Sequence, residues 1–136
     1  LTLWEDTAAK SPGKARPHNN LGHYLRQSGQ LDQAEIEFKR AIELKPDYID
    51  ANTNLGLVYI DKKLYTDAIN YLRRAIELNP KHYKAHYNLG VIYLKQQRYN
   101  EAMAEFEESL RIKPDYKPAI ESIRILEGTK LQQTSE

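Results

Sequence analysis

An all-α fold of stacked helical hairpins follows from three features of the sequence. Asn-Leu-Gly recurs at Asn20-Leu21-Gly22, Asn54-Leu55-Gly56 and Asn88-Leu89-Gly90, a period of 34 residues. The same register carries Ala34, Ala68 and Ala102, then Phe38, Leu72 and Phe106, then Ala41, Ala75 and Ser109, and last Pro46, Pro80 and Pro114. Within one period the apolar residues follow helical spacing, Leu55, Val58 and Tyr59 in one stripe and Ala68, Ile69, Leu72, Ala75 and Ile76 in another. A fixed period of this length marks a repeated supersecondary unit.

The elements can be taken in order. Residues 1–14 read as the second helix of a repeat, because Trp4 and Pro12 fall in the slots of Phe38 and Pro46. Three full repeats follow at 15–48, 49–82 and 83–116, each of two helices, the second ended by its proline, which disfavours helical geometry in the residue before it. Asp32, Thr66 and Asn100 are expected as N-caps of the second helices, with Asp32 and Glu35 forming a capping box. Gly22, Gly56 and Gly90 lie inside first helices, where glycine costs about 1 kcal/mol against alanine. Three such costs in register predict a close approach to the second helix, on the small surface of Ala34, Ala68 and Ala102. Residues 117–131 read as a capping helix: Pro118, Ile120 and Ile123 continue the first-helix pattern, while Arg124 and Glu127 replace the glycine and tyrosine and suit a solvated outer face. Residues 132–136, from Gln132 to Glu136, are expected to fray.

Composition narrows the function. The 136 residues carry a formal charge of +1 from 20 Lys+Arg and 19 Asp+Glu, which is not the excess of a general nucleic-acid binder. Length alone suggests one domain. With no Cys there is no disulfide, thiolate zinc site or cysteine nucleophile. No apolar run approaches the ~18 residues of a membrane span, and no signal-peptide pattern is present. The chain opens on Leu and reads as a piece of something longer. No phosphate loop, nucleophile elbow or His-Glu-x-x-His occurs, so neither catalysis nor a cofactor is expected. His82 and His86 have a metal-compatible spacing but no convincing third ligand, and no metal site is assigned. Most of the ten tyrosines, Tyr59, Tyr93, Tyr65 and Tyr99 among them, occupy repeat slots and read as packing. Tyr87, placed on the face away from the glycines, is the one read as an aromatic contact.

The order Leu-Gly, Tyr, Ala, large apolar, Ala, Pro over 34 residues resembles the tetratricopeptide repeat. The chain departs from that family where His18, Asn52 and His86 replace the early tryptophan, and at Leu25, in the slot of Tyr59 and Tyr93. The resemblance implies a right-handed superhelical solenoid that binds proteins without catalysis, its first helices lining a concave groove. The residue before Leu-Gly then faces that groove, giving a ladder of Asn20, Asn54 and Asn88 whose amides offer both donor and acceptor to an extended peptide. Similar ladders occur in the superhelix of the O-linked N-acetylglucosamine transferase. Arg16 and Lys84 stand one turn from Asn20 and Asn88 and suit acidic groups, and Leu57, Val91 and Tyr87 complete the groove. Arg16, Asn20, Asn54 and Lys84 also match the carboxylate clamp by which some chaperone co-factors hold a C-terminal carboxylate, although Asn88 replaces its fifth, basic residue and Asp50 adds negative charge. The expected partner is thus a protein or peptide, acidic or with a free C-terminus, and not nucleic acid.

Two further readings concern the opening residues. Leu3-Trp4-Glu5-Asp6, Lys10-Ser11-Pro12 and the run from Lys14 to Gly22 resemble the junction in bacterial polytopic membrane glycosyltransferase-like proteins that carry such repeats. Alternatively Leu1, Leu3 and Trp4 present an uncovered apolar face to a second copy, giving a homo-oligomer.

Overall fold

In the computed structural model, which describes residues 2–135, these residues form eight α-helices and no strand. They are α1 (Leu3–Lys10), α2 (Ala15–Gln27), α3 (Leu31–Leu44), α4 (Ile49–Asp61), α5 (Tyr65–Leu78), α6 (Tyr83–Lys95), α7 (Tyr99–Ile112) and α8 (Lys117–Thr134). The chain divides into two compact units, the first ending at Leu78 and the second beginning at Asn79. In a repeat chain packing is between neighbours, so compactness is local. In the first unit α1 packs on α2, α2 on α3, α3 on α4 and α4 on α5; in the second α6 packs on α7 and α7 on α8. Among the described residues no helix is long and apolar enough to cross a membrane.

The prolines act as the sequence implies. Ser11, Lys45 and Lys113, each preceding a proline, have φ of −136°, −145° and −131°, outside the helical region, and close α1, α3 and α7.

The turn between paired helices corrects the capping assignment. One residue takes a left-handed conformation in each repeat: Gly29 at φ 78°, Lys63 at 62° and Gln97 at 59°. The amides of Gln30, Leu64 and Arg98 donate to the carbonyls of Leu25, Tyr59 and Tyr93, and those of Gly29, Lys63 and Gln97 to Arg26, Ile60 and Leu94. This is the bonding of a Schellman cap, which ends one helix three residues before the next begins. The second helices therefore begin at Leu31, Tyr65 and Tyr99, so Asp32, Thr66 and Asn100 lie within the first turn rather than at the N-cap. No Asp32–Glu35 capping box forms. The capping box lies at α1, where Thr2 and Glu5 exchange bonds of 2.7 and 3.2 Å. Glycine adopts the left-handed conformation without the Cβ penalty, so Lys63→Gly and Gln97→Gly should each raise the unfolding free energy by about 0.5–1 kcal/mol in urea titrations.

The glycines of the first helices do mark close approach, but to large side chains. A Cβ on Gly22 would lie 2.7 Å from the Phe38 ring, one on Gly56 2.9 Å from Leu72 Cγ, and one on Gly90 2.5 Å from the Phe106 ring. Phe38, Leu72 and Phe106 are fully buried, and the alanines fill space beside them. The nearest partner of each glycine is thus the large apolar residue of its own repeat, and a Cβ on Gly56 would also lie 3.5 Å from the Ala68 carbonyl oxygen.

An ionic cluster ties α3 to α4. Glu35 accepts from Lys39 Nζ at 2.7 Å, from Lys62 Nζ at 2.6 Å and from the Tyr59 hydroxyl at 2.8 Å, and Lys62 also reaches Asp32 at 2.5 Å. Burial alone would raise the Glu35 carboxyl, but the bonds from Lys39, Lys62 and Tyr59 outweigh it and bring it down to about 2. A depressed carboxyl contributes stability above its ordinary pKa and loses it as pH falls through the folded value. Because water reaches part of the cluster, we expect that contribution to be about 1–2 kcal/mol. The stability gap between the native protein and Glu35→Gln should accordingly close between pH 4.5 and about 2.

At the other end α8 runs past residue 131 to Thr134. Lys130, Leu131, Gln132 and Gln133 are sound helix formers with no proline to stop them, which is why the expected fraying at Gln132 is not seen; Glu136 lies outside the described residues. Ala119 and Leu126 are buried, while Arg124 and Glu127 are exposed.

Candidate functional site

In the first unit α2 and α4 carry the predicted contact residues. Arg16 is exposed in the first turn of α2; Asn20 on α2 and Asn54 and Leu57 on α4 are half-buried. The structure joins one of these to a residue the sequence reading missed: Asn54 Nδ2 donates to Asn19 Oδ1 at 3.2 Å. That bond fixes the Asn54 amide and leaves its own oxygen as an acceptor. Asn20 makes no side-chain hydrogen bond among the described residues, so its amide keeps both functions. Near them stands Tyr48, whose phenol is pushed up by burial and then by Asp50, with Arg16 and Asn19 opposing.

In the second unit α6 presents Lys84, exposed, with Tyr87, Asn88 and Val91 half-buried. Asn88, like Asn20, has no intramolecular side-chain partner among the described residues. Tyr87 departs from expectation. Its ring lies 5.6 Å from that of Phe106 and 5.4 Å, edge-on, from Tyr116, and Tyr83 closes the group at 5.0 Å from Tyr116. The ring therefore packs on the side chain that fills the space above Gly90, and not on a face turned away from the glycines. Tyr87 occupies the slot of Asn19 and Thr53, which are buried but polar and so give no packing signal in the sequence.

The histidines are structural parts of their units. His18 Nδ1 lies 2.7 Å from Glu37 and Nε2 2.8 Å from the Pro12 carbonyl. His86 repeats this with Glu105 at 2.8 Å and the Pro80 carbonyl at 3.3 Å, and Asn52 donates to the carbonyls of Tyr48 at 2.8 Å and Pro46 at 3.4 Å. The tryptophan slot is thus used to satisfy the carbonyl freed where the preceding helix stops. His86 is thereby occupied, and no group of three potential metal ligands converges among the described residues.

At the start of the chain Leu3 is 71% and Trp4 39% exposed, and Ile36 on α3 is exposed as well. Leu1, named with them for self-association, lies outside the described residues.

Known proteins bear on this geometry. A family model described as Tetratricopeptide repeat matches residues 53–117, and a second, described as TPR repeat, matches residues 22–63. The Drosophila melanogaster protein O-mannosyl-transferase Tmtc3 is 33% identical over 54 residues, 40% of this chain and 6% of that protein, so this chain spans a small fraction of that relative. Among solved structures, MamA has a TM-score of 0.83 at 26% identity, covering 96% of this chain and 77% of that one. The Arabidopsis OM64 TPR domain has a TM-score of 0.81 at 21% identity, covering 85% and 95%. The first TPR of Spaghetti (RPAP3), bound to the HSP90 peptide SRMEEVD, has a TM-score of 0.81 at 22% identity, covering 87% and 94%. With eight helices, no strand and these matches, the chain belongs to the tetratricopeptide-repeat family and has its all-α solenoid fold.

Proposed function

We propose that this chain is a noncatalytic binding module that takes an extended protein segment along its first helices. Half-exposed asparagine amides in one register carry the reading: Asn20 and Asn88 have no internal partner, and Asn54 is pre-set by Asn19. A peptide N–H or C=O pairs with such an amide in either sense. In the first unit Arg16 takes an acidic group and Leu57 an apolar one; in the second Lys84 and Val91 do the same, with the open edge of Tyr87. The acidic peptide of the Spaghetti structure supports that choice of charge.

Each amide pair contributes about 0.5–1.5 kcal/mol net and each charge-assisted contact about 1.5–3. After the ordering cost, a short peptide should bind no tighter than about micromolar. The test is selection from a displayed random peptide library, with the enriched peptides then titrated against native protein and the Asn20, Asn54, Asn88→Ala triple variant. We expect at least about a tenfold loss of affinity at unchanged helicity. Equal affinity for both proteins would show that the amides are only repeat residues.

A second reading is self-association through Leu3 and Trp4, favoured by their exposure. Light scattering separates it, since monomer mass for both the native protein and Trp4→Asp removes it. The Tmtc3 match supports a third, that this chain is the repeat segment of a larger membrane transferase; hydrophobic spans elsewhere in the coding sequence are its requirement.

A further inference from the structure

A concavity of about 450 Å³ opens beside the start of α2, lined by Lys14, Ala15, Arg16, Leu44, Lys45 and Tyr48. The register explains why it is here. The slot of Ala15 holds Ile49 in the second repeat and Tyr83 in the third, where the ring packs on Tyr116 and lies under Lys113. In the first repeat the slot holds only a methyl group. Lys14, Arg16 and Lys45 correspond to Tyr48, Asp50 and Asn79 one repeat on and to His82, Lys84 and Lys113 two repeats on, so all three slots are Lys or Arg in the first repeat alone.

None of the three cations makes an ion pair among the described residues. Lys45 Nζ is held 5.3 Å above the Tyr48 ring, which fixes it at the rim by a cation–π contact. The first turn of α2 has no acidic side chain, so the positive end of its dipole adds to the field. The floor is apolar: Ala15, the Tyr48 ring and Leu44, itself 42% exposed. Three unpaired cations beside an apolar wall complement a carboxylate next to an aliphatic side chain. Asp47 and Asp50 flank Tyr48 in the sequence, and Asp50 is near enough to raise the Tyr48 phenol. A continuous polyanion would meet these acids, whereas a single carboxylate need not.

We infer that the Lys14–Arg16–Lys45 concavity is an anchoring site for one acidic residue, followed or preceded by an apolar one, of a bound protein segment. This rests on the proposed reading of the chain as a peptide-binding module and names the part of the segment that selects it. Arg16 serves both surfaces; Lys14, Lys45, Leu44 and Tyr48 belong to the anchor alone. Because the anchor lies wholly in the first unit, it acts whether or not the second unit is engaged.

The experiment is an NMR titration of the isotopically labelled full chain with two blocked hexapeptides, one alternating Glu and Leu and one alternating Gln and Leu. Three proteins are compared: native, the Lys14→Ala, Lys45→Ala double variant and the asparagine triple variant. The expected result is saturable shifts of the Ala15, Lys45 and Tyr48 amides with the Glu peptide, weakened about tenfold or more in the lysine variant, with little response to the Gln peptide. Unchanged binding by the lysine variant overturns the anchor even where the asparagine variant loses binding, in which case the groove reading stands alone. Binding lost only in the lysine variant keeps the anchor and sinks the amide ladder. Equal response to the Gln peptide, no saturation by about 5 mM, or stronger shifts of the same amides by a single-stranded oligonucleotide each overturn the anchor as stated.

Discussion

Replacing Phe106 by alanine should lower the unfolding free energy by about 3–5 kcal/mol, the range for a buried aromatic that leaves a cavity. Phe106 is fully buried, and its ring lies against Tyr87 and over Gly90. Gly90→Ala alone brings two opposed effects. Alanine gains about 1 kcal/mol of helix propensity, but its methyl would sit 2.5–3.0 Å from three ring atoms of Phe106. That ring is held on both sides, so relief requires a shift of α7 or an off-rotamer ring, and overpacking of this kind costs about 1–3 kcal/mol. We expect a net loss of about 1–2 kcal/mol. The decisive measurement is the double variant. Once Phe106 is alanine, the clash is gone and the propensity gain remains, so Gly90→Ala should become stabilising. Urea denaturation of the four proteins reads this change of sign, and additive effects would show that glycine is not there to admit the ring.

Much of the fold was legible in the sequence because a period averages over local noise. Three copies of Asn-Leu-Gly, Ala, a large apolar residue and Pro place the helices even though the tryptophan slot is polar in all three full repeats. The exact helix starts were less legible. Asp32, Thr66 and Asn100 have good capping chemistry, but the preceding helix ends in a Schellman turn whose left-handed residue is Lys63 or Gln97 in two repeats of three. Those residues carry no glycine signal, and only their register with Gly29 reveals the turn. The candidate site divides in the same way. The asparagines and Arg16 and Lys84 could be named from spacing, whereas the Asn19–Asn54 bond and the packing of Tyr87 depend on which neighbour each helix face meets. The concavity beside Lys14 was hidden for a different reason: it is created by a small residue, Ala15, and is recognised only by comparing that slot with Ile49 and Tyr83.

The second large effect should come from Glu37→Ala, at about 1–3 kcal/mol, because it leaves a buried histidine nitrogen without its hydrogen-bond partner. The His18 side chain is only 3% exposed, and both of its ring nitrogens face oxygens that only accept, Glu37 Oε2 and the Pro12 carbonyl. Removing Glu37 leaves a buried imidazole nitrogen without a partner. The second repeat shows a neutral solution: Asn52 stands in the His18 slot, bonds the carbonyls of Tyr48 and Pro46, and has Tyr71 where Glu37 would be. The swap His18→Asn, Glu37→Tyr should therefore recover about 1 kcal/mol of the loss caused by Glu37→Ala. The third repeat supplies the pH dependence. The hydrogen bond to Glu105 raises the His86 pKa, burial opposes it, and Glu105 charge, the Pro80 carbonyl and Glu108 support the rise. A raised histidine contributes stability that is complete below its ordinary value of 6.5 and lost as pH climbs through the folded value. Urea midpoints of the native protein should thus fall relative to those of His86→Gln as pH is taken from 6 to 9. A constant difference across that range would mean that His86 holds Pro80 and Glu105 without carrying a proton between them.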